Sequence, residues 1–258
     1  MRIDLILLIT GTATALAGAA RSTWSPCGLS MLSSITPFGE RSRGHNYRLT
    51  AAWFVVGATV GGATLGLGAL ALSVLASGSG YTRHPLAIGS IAAAAALLGM
   101  AVDAGVLGDV LPVIRRQVDD GWLSRYRTWV YAGGFGWQIG TGVATYVMTS
   151  AVFVFVALVA MTGRPLESFA VCTGFGAVRG TAVLLTSRAS DPSALRSLHR
   201  RLDRAAEPVR WAAIATQGAS AVVIGAYVAP IFGIACVVLA AATLWALRGS
   251  AWARIAGR

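Results

Sequence analysis

Lysine is missing from this sequence altogether, and acidic residues are scarce, ten among 258. Charged residues make up only 12% of the chain, too few to cover the surface of a water-soluble domain. Cysteine is rare as well. Cys27, Cys172 and Cys236 form no C-x-x-C pair and no zinc-type spacing, which argues against a disulfide framework or a zinc module. His45, His84 and His199 stand apart in connectors, so no metal or other cofactor is expected. No paired carboxylates and no Ser/His/Asp set stand out, which argues against a hydrolytic site. The chain therefore reads as a carrier or transporter rather than a hydrolase or transferase, with enzymatic activity left open.

What is abundant is apolar sequence: 55% hydrophobic residues, 31 glycines and a mean hydropathy of +0.67. Apolar runs of membrane-crossing length recur at about 4–36 (broken near 21–26), 50–77, 86–109, 131–162, 167–187, 209–229 and 231–248. The expectation is an all-α polytopic membrane protein, a single membrane domain over 1–258 in the lipid bilayer. Seven spans are expected, or six if the last pair, joined by "AYVAPIFG" at Pro230, is one bent element. Residues 1–20 end in "ALAGAA", but one arginine followed by Asp4 makes a poor leader, so they read as part of the first span.

The net charge of +11 is carried by arginine, and it alternates between connectors. Arg41, Arg43 and Arg48 fall in one, Arg115, Arg116, Arg125 and Arg127 in a second, and Arg188, Arg196, Arg200, Arg201 and Arg204 in a third. The connectors between them hold Arg83 and Arg164. The positive-inside rule puts the rich set in the cytoplasm of a bacterial plasma membrane. The N-terminus is then outside, and the C-terminus, with Arg248, Arg254 and Arg258, inside. Charges confined to short connectors argue against nucleic acid as a partner. The third connector, 188–208, reads as a short amphipathic helix starting at Asp191 and Pro192, either resting on anionic head groups or simply solvated.

An offset of 116 sets "ALAGAARSTWSPCGLSMLSS" (15–34) beside "YAGGFGWQIGTGVATYVMTS" (131–150). It also pairs the second span with the fifth and the third with the sixth. Two three-helix repeats are expected, 1–109 and 131–229, plus an extra helix at 231–248. An odd number of crossings inverts the second repeat, as in secondary transporters. In the first repeat Ser25 can cap, and Pro26 can open, a half-helix that carries Cys27 in its first turn. The positive end of a helix dipole favours an anion and makes a thiol there more nucleophilic, the more so if Arg21 faces the same cavity. Cys27, Ser30 and Ser34 share one face, and Thr141, Thr145 and Thr149, led by Gln138, form a matching stripe at i, i+4, i+8. Such stripes also serve plain helix packing, as do the Gly57/Gly61, Gly62/Gly66 and Gly136/Gly140 pairs. Asp103 and Arg179 both fall within spans, where charges pair or line a wet path. A mutual pair is geometrically open to them, with Gln217 a further candidate.

With Ser25, Pro26, Cys27 and Leu29 in place, the chain resembles the CcdA and DsbD membrane-domain family of thiol-disulfide electron carriers in cytochrome c biogenesis. The resemblance covers about 1–230 in layout. It implies six core spans in two inverted repeats, an N-terminus outside, and transfer of reducing equivalents from a thioredoxin-like protein through one cysteine in each repeat. The sequence departs from that pattern at Ser30, where the family has a second proline, and at Val143, which faces Cys27 across the offset. Three functions are therefore expected to compete: a thiol carrier working through Cys27 alone; a solute or ion exporter lined by Thr141, Thr145, Asp103 and Arg179; and a non-catalytic membrane subunit. The oligomeric state is not legible.

Overall fold

The computed structural model describes residues 3–80, 84–108 and 121–256, and every regular element among them is helical. Arg83, Arg115, Arg116 and Arg258, used above to orient the chain, lie outside these residues. The first helix, α1 (Ile3–Ser22), ends in a tight turn. The N–H groups of Thr23, Trp24 and Ser25 bond to the carbonyls of Ala20, Arg21 and Ser22. Ser25 is then extended (φ −64°, ψ 150°) and caps α2 (Pro26–Ser34), its hydroxyl accepting from the Gly28 N–H at 3.1 Å with Pro26 at the first helical position. The break expected near 21–26 is therefore real.

A short helix α3 (Pro37–Ser42), capped by Thr36, leads into α4 (Tyr47–Gly78), whose 32 residues extend about 48 Å. Next comes α5 (Pro85–Ala104), closed by Gly105 in the left-handed region (φ +82°). After a short turn, α6 (Trp122–Arg125), a second split element follows. Helix α7 (Thr128–Gly140) gives way to a non-helical stretch at 141–150, and α8 (Ala151–Ala160) resumes. Helix α9 (Pro165–Thr181) continues as a 3₁₀ turn over Ala182–Arg188. The chain closes with α10 (Pro192–Val228) and α11 (Pro230–Ala256).

Five of these segments are long and apolar enough to cross a membrane: Ile3–Ser22, Tyr47–Gly78, Pro85–Ala104, Pro165–Arg188 and Pro192–Val228. Ala151–Ala160 and Pro230–Trp245 are shorter apolar helices. Leu67, Leu72, Leu75, Val237, Val238 and Trp245 are among the large apolar side chains left exposed, as a lipid-facing surface requires.

One expectation changes. The connector at 188–208 is not a separate helix. Asp191 and Pro192 do start it, but the helix runs unbroken through Pro208 into the sixth apolar run, 37 residues in all. Pro208 removes one helical N–H without ending the helix, and packing carries it through. The last pair is two helices meeting at Ala229–Pro230, and they fold back on each other: Cys236 lies beside Gly225, and Ala240 packs with Met100 and Ile214.

The centre is held by glycine. A Cβ on Gly57 would stand 2.1 Å from the Gly133 carbonyl oxygen, one on Gly136 2.1 Å from that of Phe54, and one on Gly140 2.0 Å from that of Ala58. Gly62 and Gly176 are pressed together in the same way. Helices α4, α7 and α9 thus touch backbone to backbone, which fixes where α9 presents its side chains.

The two ends of the bundle differ. At one, Arg164 bonds Asp4 at 2.6 Å and the Ser77 hydroxyl donates to the Gly163 carbonyl. At the other, the Tyr47 hydroxyl donates to the Val183 carbonyl at 3.0 Å, and the Tyr131 hydroxyl donates to Glu40 at 2.7 Å. Arg41, Arg48, Arg125, Arg127, Arg188 and Arg196 are all exposed around that second end.

Candidate functional site

The half-helix α2 is fixed from three sides. Trp24, in the break, donates its indole N–H to the Leu202 carbonyl of α10 at 2.9 Å. Ser33 meets His199 at 3.1 Å, and Arg43 donates to the Ser34 carbonyl at 2.7 Å, closing the far end of α2. Gly28 admits no side chain, because a Cβ would lie 2.4 Å from the Thr23 carbonyl oxygen. Cys27 is consequently held in the first turn, 1% exposed, packed with Met31, Ile35, Phe54 and Phe135.

Arg179, rather than Arg21, is the arginine within electrostatic range of Cys27. Arg179 is 3% exposed, donates Nη1 to the Ile139 carbonyl at 2.5 Å, and interacts electrostatically with Cys27. Arg21 has Arg210, Asp103 and Glu207 as its charged neighbours. A small cavity of about 20 Å³ lies beside the half-helix, bordered by Ser22, Gly28, Met31, Phe54, Ile139 and Arg179.

The expected Asp103–Arg179 pair does not form. Asp103 sits at the end of α5 and gathers the start of α8. It accepts from the Ser150 N–H at 2.7 Å and the Ser150 hydroxyl at 2.8 Å. The Thr149 hydroxyl and Gln217 Nε2, the latter at 2.8 Å, complete the set. Its carboxylate thus caps a helix N-terminus, where negative charge is stabilised. Gln217 is in this cluster, as its place on the sixth span allowed.

The threonine stripe is not a stripe. Gly140 ends α7, and Gly142 takes φ +73°, so 141–150 leaves helical periodicity. Thr141 bonds back to the carbonyls of Trp137 and Gln138, Thr149 turns to Asp103, and buried Thr145 has no hydrogen-bond partner among the described residues. Gln138 is half-buried, and Ser30 is half-buried on α2. The polar residues grouped from sequence therefore divide between the Cys27–Arg179 site and the Asp103 cluster. Val143 lies against the cluster of Phe155, Cys172 and Phe175. All three cysteines are free and buried.

Sequence reasoning missed Glu40, fully buried at the foot of α2. Its carboxylate meets Arg43 at 2.5 Å, the Thr50 hydroxyl at 2.6 Å and the Tyr131 hydroxyl at 2.7 Å, with His45 at 3.7 Å. The signal was present: Glu40 is the one acid within the arginine connector 37–49.

These features define a helical membrane protein with a buried thiol and a buried guanidinium within electrostatic range of each other. Among known proteins, the chain is 34% identical over 168 residues to the methylamine utilization protein MauF of Paracoccus denitrificans, covering 63% of this chain and 58% of that protein. It is 31% identical over 175 residues to MauF of Paracoccus versutus and 29% identical over 178 residues to MauF of Methylophilus methylotrophus, covering 61% of each. The chain thus spans about three-fifths of these relatives. No family model and no solved structure matches.

Proposed function

We propose that this chain is a MauF-like integral membrane protein of methylamine utilization that acts on other proteins by thiol–disulfide exchange at Cys27. The observation that carries this reading is the placement of Cys27 in the first turn of a capped half-helix, facing Arg179. The Cys27 thiolate attacks a disulfide of a thioredoxin-like protein, forming a mixed disulfide and releasing one partner thiolate. A second partner thiol then resolves the bond and returns Cys27 to its thiolate. One cysteine suffices for this exchange, which accommodates Val143 in the place of a second.

The order of elements supports a CcdA/DsbD-like scaffold of two inverted repeats. A split helix (α1/α2), then α4 and α5, is followed by a split helix (α7/α8), then α9 and α10. The pair α10/α11 brings the proposed number of crossings to seven, with the arginine-rich end in the cytoplasm. The exporter reading would route a solute past Asp103, whose hydrogen bonds to Ser150 and Gln217 account for its burial as a helix cap.

Membranes containing the chain, incubated with an oxidised thioredoxin-like protein whose resolving cysteine is changed to serine and activated as a mixed disulfide with a small thiol, should yield a reductant-sensitive adduct through Cys27. Cys27→Ser should yield none. An adduct that survives Cys27→Ser, or no adduct with the wild type, contradicts the proposal.

A further inference from the structure

Arg179 poses a problem of charge. A guanidinium stays protonated in a protein, and this one is 97% buried on the central helix α9. Among the described residues no carboxylate forms an ion pair with it; its bonded partner is the Ile139 carbonyl, and its Nε has no hydrogen-bond partner. A buried charge without a counter-charge is costly, more so at membrane depth. The cavity that Arg179 borders also receives the N-terminal turn of α2, a nine-residue helix, through Gly28. Two positive ends, one ionic and one dipolar, thus look into the same space.

We propose that this cavity binds one small, weakly hydrated monoanion of chloride size as the counter-ion of Arg179. The volume fits a single ion: the cavity, about 20 Å³, exceeds the roughly 10–15 Å³ that one water-sized sphere needs and admits no protein loop. The walls fit as well. Met31, Phe54 and Ala182 are apolar, which disfavours strongly hydrated divalent anions such as sulfate. A second consequence rests on the thiol reading. The Cys27 thiolate and the anion compete for one guanidinium, so the anion is expelled when the thiolate forms and returns when the sulfur is neutral in a mixed disulfide.

The test is ³⁵Cl NMR line broadening on the detergent-solubilised chain in sodium chloride, titrated with thiocyanate. The wild type should show saturable excess broadening that thiocyanate removes and sulfate at equal ionic strength does not. Arg179→Gln should abolish it, and Arg204→Gln, on the exposed face of α10, should leave it intact. Ala182→Leu fills the cavity while keeping the guanidinium, so it should also abolish the broadening and decides the matter if Arg179→Gln does not fold. Cys27→Ala should retain or strengthen binding. Anion binding with an unreactive Cys27 would thus overturn the thiol reading alone. Broadening that is absent in the wild type, or that persists in Ala182→Leu, overturns the anion site.

Discussion

Single residues decide where this chain stops being an uninterrupted apolar helix. Ser25 and Pro26 were readable as a cap and a first-turn residue, because both act through local backbone chemistry. Asp191 was readable for the same reason. Its carboxylate accepts from the Ser193 hydroxyl at 2.5 Å and from the Ala194 N–H at 2.9 Å. These bonds, the Ser193 hydroxyl first, hold it below the usual carboxylate range. A depressed folded value means that the cap stabilises α10 above the unfolded carboxylate value and is lost as pH falls through the folded one. The protection factors of the Ser193–Leu195 amides, which correct exchange for its intrinsic pH dependence, should therefore fall in acid for the wild type. In Asp191→Ala they should already be low at neutral pH and lose that acid step; unchanged protection in Asp191→Ala contradicts the cap. The Arg179–Cys27 pairing was not readable, since it joins helices far apart in sequence; of the partners of Glu40, Arg43, His45 and Thr50 are close in sequence and Tyr131 alone comes from a distant helix. The Asp103–Arg179 pair failed for the same reason: composition marks both charges as needing partners but not which ones.

At the scale of elements, the glycine pairs were legible as packing surfaces, while the partners of each had to come from the fold. Gly140 meets the Ala58 carbonyl, so Gly140→Ala forces α7 away from α4. Overpacking of this kind costs about 1–3 kcal/mol, and at about 2–4 °C per kcal/mol the thermal midpoint in detergent should fall by about 2–12 °C. Gly68→Ala, also in α4 but with open space around it, should leave the midpoint unchanged or slightly raised. Equal losses from both would contradict the backbone contact. The threonines of 141–150 misled a helical reading because their i, i+4, i+8 spacing is real in sequence. The positive φ of Gly142 cancels it in space. The continuity of α10 was hidden by Pro208 and by the change from arginine-rich to apolar sequence at the same point.

For the whole molecule, the apolar runs carried most of the helical architecture, since a bilayer imposes their length. What the sequence could not convey is how far α2 is enclosed by other helices: α10 through Trp24 and His199, α9 through Arg179, and α4 through Phe54. That enclosure makes Cys27 a guarded thiol, 1% exposed. The decisive measurement is the rate at which methyl methanethiosulfonate, a small uncharged thiol reagent, modifies each cysteine in native membranes. Cys27 should react on the order of tenfold faster than Cys236, and Arg179→Gln should remove that advantage. A Cys27 that reacts no faster than Cys236, or whose rate ignores Arg179→Gln, would contradict the account.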